Sequence, residues 1–507
     1  MIEQQRLILQ SSLDAEKDLK DQKERNRMGQ FATPTNLARE IVKYGLSLIE
    51  EKEAVNFMEP AFGTGSFYSA LINEIDNSKI EKAYGVEIDK HYGEPASRLW
   101  NDYDIEVEIS DFTKLSPDRI DKKVDLLICN PPYVRHHHLV KDDKVRLQKN
   151  SESVFKSKVS GLSGLYCHFI AASHQWMAKG AVGGWLIPSE FMDVNYGSAL
   201  KNYLCNEVTL FRIHRFEPSD SQFDDALVSS AIVWIKNEKP SQDHRAIFSF
   251  GGTLEKPHLS KLIKISELKT EAKWTRFPQK PVRTISIEPK ISDFFKIRRG
   301  LATGGNDFFI LTPEKAEQEN IPKQFLKPIL PSPRFLKTDV IASEDNGYPD
   351  IDKKLFLLDC VLPPDEVEFN YPSLWCYLQK GVELGIDQGY ICKNRPFWYK
   401  QERREASPFY CTYIGRKTKS SDKPFSFILN HSLAVVSNSY LSLEPLESVR
   451  KSLERDPDIV VRIWEHLNGI CSELMKDEGR VYGGGMYKME PKELANVPVP
   501  LIAQLLN

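Results

Sequence analysis

The sequence predicts an α/β protein with a seven-stranded, mainly parallel sheet, followed by a separate mixed α+β domain. Two observations lead to this prediction. Between residues 33 and 236, short apolar runs alternate with amphipathic helical segments. Such alternation is typical of parallel sheets that carry helices on both faces. After about residue 237, prolines, aromatic residues and short apolar runs follow without regular alternation, which indicates the second domain.

The elements of the alternating region can be placed in order along the chain. The predicted strands are 55–58, 83–88, 107–109, 124–129, 184–187, 210–215 and 228–236. The predicted helices include 35–48, 66–75 and 165–178. Pro34 stands just before the first of these helices, where its missing N–H is not needed. No obvious helix joins the last two strands, which allows the seventh strand to enter antiparallel.

Length and composition are those of an ordinary globular protein with several domains. The 507 residues are 41% hydrophobic and 27% charged, with a formal net charge of −3. No run approaches 18 apolar residues, so no membrane span is expected. The charged N-terminus lacks the apolar core of a signal peptide. The eight cysteines are scattered without a Cys-x-x-Cys pair, which favours reduced thiols and a cytoplasmic enzyme.

Changes in composition suggest four parts. We expect a helical arm at 1–28, a catalytic domain at 29–240, a connecting segment at 241–290 and a further domain at 291–507. The arm is expected to lie on a polar surface. Its possible contacts are Leu7, Leu9, Leu13 and Leu19.

The residues Asn130-Pro131-Pro132-Tyr133 follow the apolar run 124–129, so a buried strand ends in an amide, two rigid prolines and an aromatic ring. The amide oxygen of Asn130 can accept one hydrogen bond and the carbonyl oxygen of Pro131 another. Neither proline donates an N–H of its own. Tyr133 offers a ring for stacking. The combination suits a planar ligand that carries an exocyclic amine.

Three further features lie at or just after the ends of the first three predicted strands. Gly63 and Gly65 permit a tight turn and close backbone approach to a ligand. Glu87 is placed to accept hydrogen bonds from a ribose diol. Asp111 can accept from an adenine amine, and Phe112 can pack on the ring. Each has a structural alternative: a helix N-cap for Asp111, a solvated turn for Glu87 and a core position for Phe112. Together they indicate an adenosine-bearing ligand.

The turn after the first strand narrows the choice of ligand. A dinucleotide site normally has Gly-x-Gly-x-x-Gly, but Tyr68 occupies the sixth position here. The Gly-Lys-Ser/Thr of a phosphate-binding loop is also absent. Glu59, on the same turn, would repel phosphate. It suits an ammonium group, such as that of the methionine part of S-adenosyl-L-methionine.

Four motifs, in this order, resemble those of a known family. They are Gly29-Gln30-Phe31-Ala32-Thr33-Pro34, Glu59-Pro60-Ala61-Phe62-Gly63-Thr64-Gly65, Val86-Glu87-Ile88-Asp89 and Asn130-Pro131-Pro132-Tyr133. The family is the gamma-class, TaqI-type DNA adenine-N(6) methyltransferases of type II restriction-modification systems. The resemblance covers roughly residues 29–236, with further matches at 299–309 and 482–488. Phe62 is a departure, because many members have Cys there.

The resemblance implies a class I, Rossmann-like methyltransferase fold that uses S-adenosyl-L-methionine. The cofactor-binding residues that it implies are Phe31, Thr33, Glu59, Pro60, Ala61, Gly63, Gly65, Glu87, Ile88, Asp111, Phe112, Asn130 and Pro132. The implied catalytic residues are Asn130, Pro131, Pro132 and Tyr133, with Phe223 as a second stacking ring. The target adenine leaves the duplex to reach such a site. No metal, covalent intermediate or dedicated general base is expected.

The C-terminal domain is expected to recognise the DNA target. Basic side chains are interleaved with aromatic ones between residues 393 and 419, a pattern that suits phosphate contacts. A solvated face beside core aromatic residues is the alternative. The predicted DNA-binding residues are Arg299, Thr303, Asn306, Lys393, Arg395, Arg403, Arg404, Arg416 and Lys417.

We expect a prokaryotic monomer that binds double-stranded DNA and protects it from a separately encoded restriction endonuclease. Three other functions remain open: a protein-glutamine or RNA methyltransferase, a fused restriction-methylation enzyme, and a catalytically silent DNA-binding subunit. The run His136-His137-His138 is not expected to bind a metal, because adjacent residues do not converge on one ion.

Overall fold

The computed structural model describes residues 2–16, 28–49, 51–217, 229–279, 288–416, 423–482 and 486–506. The chain divides into two compact units. The first comprises Met1–Thr284 with Tyr482–Gly484, and the second comprises Ile285–Val481 with Gly485–Asn507. No helix in the described residues is long and apolar enough to cross a membrane.

A mixed sheet of nine strands forms the centre of the first unit. Its strands are β1 Val55–Glu59, β2 Ile80–Glu87, β3 Ile105–Ile109, β4 Val124–Cys129, β5 Met177–Pro188, β6 Thr209–Arg215, β7 Ser230–Lys236, β8 Arg245–Gly252 and β9 Pro257–Lys264. Their order across the sheet is β3-β2-β1-β4-β5-β7-β6-β8-β9. Strands β1 to β5 pair in parallel, whereas β7 is antiparallel to both β5 and β6. The antiparallel seventh strand agrees with the sequence pattern.

The expected number of seven strands is wrong, because the segment 241–290 adds two more. Strand β8 pairs in parallel with β6, and β9 pairs antiparallel with β8. Ala246 and Phe248 of β8 are buried. On β9, by contrast, Ile263 is the one buried residue. An edge strand that buries so little carries almost no hydrophobic alternation, so its sequence reads as a connecting segment.

Helices cover both faces of this sheet. They are α1 Ile2–Ala15, α2 Thr35–Ser47, α3 Ser66–Glu74, α4 Lys90–Leu99, α5 Lys141–Phe155, α6 Leu165–His174, α7 Ser198–Asn206 and α8 Ile265–Thr270. Every residue of β4 is buried, with Leu126 and Ile128 in one apolar core and Leu127 and Cys129 in the other. Burial on both faces explains the uninterrupted apolar run of this strand.

The second unit combines a five-stranded sheet, two three-stranded sheets and short helices. Its strands are β10 Phe295–Arg299, β11 Ile310–Leu311, β12 Leu326–Pro328, β13 Val340–Ile341, β14 Phe356–Leu358, β15 Phe409–Thr412, β16 Ile414–Arg416, β17 Phe427–Asn430, β18 Tyr440–Pro445, β19 Arg480–Tyr482 and β20 Met486–Lys488. Its helices are α9 Asn306–Phe309, α10 Pro313–Gln318, α11 Pro364–Asn370, α12 Pro372–Glu383, α13 Glu447–Arg455, α14 Ile459–Asn468, α15 Ser472–Glu478, α16 Pro491–Ala495 and α17 Pro500–Leu506. The five-stranded order is β10-β18-β15-β17-β13.

Candidate active site

A cavity of about 580 Å³ lies in the first unit, where strands β1 to β4 end. The carboxyl ends of parallel strands meet at one edge of a sheet, which is where such folds bind ligands. Residues that follow all four strands line the cavity. So do Gln10 and Asp14 of α1, residues 28–32, and Arg146 of α5.

The cavity brings together most of the predicted site residues. Those that line it are Phe31, Pro60, Ala61, Gly63, Glu87, Ile88, Asp111, Phe112, Asn130 and Pro132. Those absent from its lining are Thr33, Glu59, Gly65, Pro131 and Tyr133. Phe223 lies outside the described residues.

The two glycines of the turn after β1 differ in their surroundings. Gly63 has a φ of 53°, and a Cβ there would meet nothing within 4 Å. Its N–H donates to Oε2 of Glu87 at 2.8 Å. Gly65 has a φ of 85°, and its Cβ would lie 2.6 Å from the ring of Phe62. Gly65 therefore makes room for the ring of Phe62.

Glu59 is directed at a helix rather than at the cavity. Its side chain is 2% exposed and accepts hydrogen bonds from the N–H groups of Phe67 (3.3 Å) and Tyr68 (2.9 Å). These N–H groups belong to the first turn of α3, where backbone donors lack partners within the helix. Burial raises the pKa of Glu59 to about 8. The predicted contact with a ligand ammonium group thus competes with a capping role.

The carboxylates at the end of β2 and just after β3 are fixed by backbone N–H groups. Oε1 of Glu87 accepts from the N–H of Asp89 at 2.8 Å. Oδ1 of Asp111 accepts from the N–H and the hydroxyl of Thr113 at 3.0 and 2.7 Å. Asp111 is therefore an N-cap, as the alternative interpretation had it, and it also faces the cavity. Fixed acceptors of this kind suit the hydroxyl and amine groups of a nucleoside.

Phe112 occupies a core position, which was the structural alternative for this residue. Its ring is almost fully buried and lies 5.5 Å, centroid to centroid, from the rings of both Phe169 and Trp176. It is a core residue that also forms part of the cavity wall.

Arg146 holds the loop after β3 and was not identified from the sequence. Its Nη1 donates to the carbonyl oxygen of Thr113 at 2.6 Å, and its Nη2 donates to the Thr113 hydroxyl at 3.0 Å. A basic residue in a surface-like helix gives no sequence signal of such a contact.

The side chain of Asn130 is oriented by the segment between α1 and α2. Its Nδ2 donates to the carbonyl oxygen of Phe31 at 3.0 Å and to Oγ1 of Thr33 at 3.1 Å. Within the described residues, Oδ1 of the same amide accepts no hydrogen bond. Thr33 is therefore a partner of Asn130 rather than part of the cavity wall. The amide oxygen is the atom left to accept from a ligand.

Tyr133 is anchored at three points. Its N–H donates to the carbonyl oxygen of Gly29 at 3.0 Å, and its hydroxyl donates to that of Leu186 at 3.1 Å. Its ring centroid lies 5.6 Å from that of Phe31. Burial raises the pKa of the Tyr133 hydroxyl. Gly29 has a φ of 64°, and a Cβ there would lie 2.3 Å from the backbone nitrogen of Tyr133. The Asn-Pro-Pro-Tyr loop therefore needs glycine at position 29.

The N-terminal helix differs from its expected role. Of the predicted contacts, Leu13 is buried as expected, Leu9 is partly buried and Leu7 is 43% exposed. Arg6, which was not among them, is buried as well. Leu19 lies outside the described residues. Gln10 and Asp14 line the cavity. Arg6, Gln10 and Asp14 recur every four residues on one helix face. A search for apolar periodicity does not find a polar face of this kind.

The residues predicted to bind DNA fall into two groups. The exposed ones are Arg299, Asn306, Lys393, Arg403 and Arg416. The ones that are buried or partly buried are Thr303, Arg395 and Arg404, while Lys417 lies outside the described residues. Nη2 of Arg395 donates to the carbonyl oxygen of Ala302 at 2.8 Å. Arg395 thus holds the glycine-rich loop after β10.

The aromatic residues of the basic segment belong mainly to the protein core. Tyr399, Phe409, Tyr410 and Tyr413 are almost fully buried. They are not available for stacking on bases, and the alternative of a solvated face beside core aromatic residues describes this part of the segment. Arg299 places its guanidinium 4.1 Å from the ring centroid of Tyr413.

No cluster of three or more His, Cys, Asp or Glu side chains in the described residues is arranged to hold a metal ion. In the histidine run, His138 lines the cavity.

The chain matches two protein-family models along most of its length. Residues 32–223 match the Eco57I restriction-modification methylase model, and residues 279–507 match the C-terminal domain model of the Type II methyltransferase M.Eco57I. The chain belongs to the Eco57I family of restriction-modification methylases. The two matched regions of this Eco57I-family chain include the Asn-Pro-Pro-Tyr loop and the whole of the predicted recognition domain.

Curated relatives agree with this assignment along nearly the whole chain. The Type II methyltransferase M.AccI of Acinetobacter calcoaceticus is 27% identical over 490 residues, which cover 93% of this chain and 85% of that protein. The Type II methyltransferase M.XamI of Xanthomonas campestris pv. amaranthicola is 25% identical over 494 residues, which cover 94% and 86% respectively. The chain is thus a Type II methyltransferase of the Eco57I family.

Solved structures show that the fold is shared at low sequence identity. The Type IIL restriction-modification enzyme MmeI, solved in complex with DNA, superposes with a TM-score of 0.54 at 12% identity, covering 85% of this chain and 64% of MmeI. The DrdV–DNA complex gives a TM-score of 0.54 at 12% identity, covering 99% of this chain and 58% of DrdV.

Proposed function

We propose that this Eco57I-family chain transfers a methyl group from S-adenosyl-L-methionine to the exocyclic amine of an adenine flipped out of duplex DNA. The observation that carries the proposal is the orientation of Asn130. Its amide donors are occupied by Phe31 and Thr33, and its Oδ1 remains as an acceptor beside the cavity.

The cavity suits the proposed methyl donor. A volume of about 580 Å³ falls within the usual range for small-molecule sites. Glu87, the last residue of β2, and Asp111, just after β3, present fixed carboxylates, where a ribose and an adenine amine would find acceptors. Gly63 lets the backbone approach the donor closely.

The proposed chemistry follows from the nature of the adenine amine. Its lone pair is delocalised into the ring, which makes the nitrogen a weak nucleophile. Acceptance of its hydrogens by Asn130 Oδ1 and the carbonyl oxygen of Pro131 favours a localised lone pair. The sulfonium methyl is already electrophilic, so in-line positioning provides most of the rate enhancement. The proton leaves after methyl transfer.

Base flipping supplies the geometry that the reaction needs. An adenine inside the duplex cannot reach the cavity, and extrusion costs a few kcal/mol. Stacking on an aromatic ring returns about 1–3 kcal/mol per base. Tyr133 is the proposed first ring. Phe223 is the proposed second ring, by resemblance to the TaqI-type enzymes.

Recognition of the target is assigned to residues 291–507. Exposed basic side chains in this domain, among them Lys393, Arg403 and Arg416, suit phosphate contacts. The fold that the chain shares with MmeI and DrdV, both solved with DNA, supports this assignment. We further propose a cytoplasmic monomer that protects host DNA from a separate endonuclease.

Methyl transfer from labelled S-adenosyl-L-methionine to competing substrates tests the proposal. We expect label in duplex DNA that contains the target motif, and none in RNA or in glutamine-containing peptides. Label in RNA or peptide instead would exclude the DNA assignment. Cleavage of unmethylated plasmid in the presence of Mg²⁺ would identify a fused restriction-methylation enzyme.

A further inference from the structure

Helix α1 is fastened to the first unit by a buried arginine. Arg6 is 1% exposed, and its Nη1 donates to the hydroxyls of Thr64 (3.2 Å) and Ser66 (3.0 Å). These two residues flank Gly65 in the turn after β1. The Nε and Nη2 atoms of Arg6 donate to Glu3 at 2.7 and 2.6 Å. Loss of these partners would leave the buried charge of Arg6 unpaired, which strongly destabilises a folded protein. The contact therefore holds α1 against the turn after β1.

Glu3 extends the same network to the neighbouring helices. It accepts hydrogen bonds from the hydroxyls of Thr35 on α2 and Ser69 on α3, both at 2.5 Å. Burial alone would raise the pKa of Glu3, but hydrogen bonds from Arg6, Ser69 and Thr35 lower it to about 2. Glu3 is therefore ionised at neutral pH, opposite the Arg6 charge.

Two side chains further along the same helix face form part of the cavity wall. The hydroxyl of Thr64 donates to Oε1 of Gln10 at 2.8 Å, and Nε2 of Gln10 donates to Oδ2 of Asp14 at 3.0 Å. The hydroxyl of Tyr92 donates to Oδ1 of Asp14 at 2.9 Å. This row of hydrogen bonds joins the turn after β1 to α4 after β2.

We propose that α1 is a wall of the methyl-donor site, with Gln10 and Asp14 as donor-contacting residues and Arg6 as the residue that positions the helix. The inference rests on the proposed function. The carboxylate of Asp14 and the amide of Gln10 suit the hydroxyl and ammonium groups of a nucleoside–amino-acid donor. They do not suit a phosphate, which Asp14 would repel.

Calorimetric titration of the full chain with S-adenosyl-L-methionine tests the inference. The variants Gln10→Ala and Asp14→Asn each remove or weaken one polar contact, so we expect the Kd to rise about 3- to 10-fold. Gln5→Ala is the matched control, because Gln5 is an exposed glutamine on the same helix. Its Kd should stay within about twofold of the wild-type value.

Steady-state kinetics distinguish the loss of a contact with the methyl donor from a general loss of protein stability. With the two variants, the KM for the donor should rise by the same factor, while kcat at saturating donor and the KM for DNA stay unchanged. In the wild type, hydrogen exchange at the amides of Ile2–Ala15 should slow when S-adenosylhomocysteine is added. A drop in thermal stability of the donor-free variants with an unchanged Kd counts against the inference.

The outcomes distinguish this inference from the proposed function. Failure of the wild type to bind the donor overturns both. Tight binding by the wild type, together with wild-type affinity in both variants and unchanged exchange in α1, overturns the role of the helix alone. Methyl transfer to adenine then still stands.

Discussion

At the residue scale, the orientation of one amide determines what the loop after β4 can do. The two donors of Asn130 Nδ2 are taken up by Phe31 and Thr33, so its oxygen is presented to the cavity. The neighbouring carbonyl of Phe31 would repel the amide oxygen if the group were turned over. The fold thereby places the Asn130 amide oxygen, an acceptor, where the proposed adenine amine would present a hydrogen.

This orientation makes two substitutions informative. Asn130→Ala should lower kcat at least about 100-fold, because the amine loses one of its two proposed acceptors as positive charge develops on it. Thr33→Val should lower kcat only about 3- to 10-fold, because one of the two bonds that orient Asn130 is lost. Single-turnover kinetics at saturating donor would measure both effects. Donor affinity should remain close to wild type, and near-normal turnover of Asn130→Ala would refute its role.

Glu59 gives a pH-dependent prediction at the same scale. Burial raises its pKa in the folded state to about 8, from an ordinary value of 4.5. Between these two values the unfolded chain is ionised while the folded chain holds a proton, so a rise in pH favours unfolding. Above about pH 8 Glu59 is ionised in both the folded and the unfolded chain, so its contribution to the free energy of unfolding no longer changes with pH.

Comparison of the wild type with Glu59→Gln isolates the contribution of the Glu59 carboxyl to the pH dependence of stability. The free energy of unfolding of the wild type, minus that of Glu59→Gln, should fall by on the order of 3 kcal/mol between pH 5 and pH 8. Urea unfolding at several pH values measures it, and other titrating groups cancel in the difference. A difference that does not vary with pH would show that Glu59 has an ordinary pKa.

At the scale of elements, the basic residues of the second unit are of two kinds. Some hydrogen-bond to the backbone and stabilise the fold, and others are exposed to solvent. Arg395 is partly buried and donates to the carbonyl oxygens of Ala302 and Trp398. The side chain of Arg403 is 88% exposed and lies 3.7 Å from a carboxylate oxygen of Glu405. Both belong to one basic segment of the sequence, and the structure assigns them different surroundings.

Alanine substitutions of Arg403 and Arg395 should therefore change different properties of the protein, DNA affinity in the first case and thermal stability in the second. Arg403→Ala should weaken DNA binding and reduce the slope of log K against log salt by about one, without changing thermal stability. Arg395→Ala should lower the unfolding temperature, because two carbonyl oxygens lose a charged donor. DNA titrations at several salt concentrations and thermal unfolding decide between these outcomes. Unchanged DNA affinity of Arg403→Ala would remove this residue from the proposed interface.

Elements with strong apolar patterns were predictable, and elements with weak ones were not. The strand β4 has the bounds that the sequence predicts, because it is buried on both faces and ends at a polar loop. The strand β9 was missed, because it lies at an edge and buries only Ile263. The contacts of α1 were predicted only in part, because Leu13 is buried as expected whereas the charged Arg6, which no apolar pattern indicates, is buried more completely.

The residues of the candidate active site were likewise predictable only in part. The strand ends that carry Gly63, Glu87, Asp111 and Asn130 could be placed together, because the ends of parallel strands share one edge. The direction of a side chain was harder to foresee. Glu59 turns to the N–H groups of α3, and this choice depends on backbone donors that the sequence does not display.

At the scale of the whole molecule, the two units divide the proposed work. Methyl transfer is assigned to the first and recognition of the target sequence to the second. One family model matches the first unit and the other matches essentially the second, while two curated relatives extend across this division, which indicates that the units belong to one enzyme. The central claim, however, concerns a single bond-forming step at the loop after β4.

Mass spectrometry of nucleosides from plasmid DNA treated with the full chain and S-adenosyl-L-methionine tests that claim most directly. The orientation of Asn130 predicts N6-methyladenine after treatment with the wild type, and at least about 100-fold less after treatment with Asn130→Ala. Methylated cytosine as the product, or N6-methyladenine formed at the wild-type rate by Asn130→Ala, would contradict it.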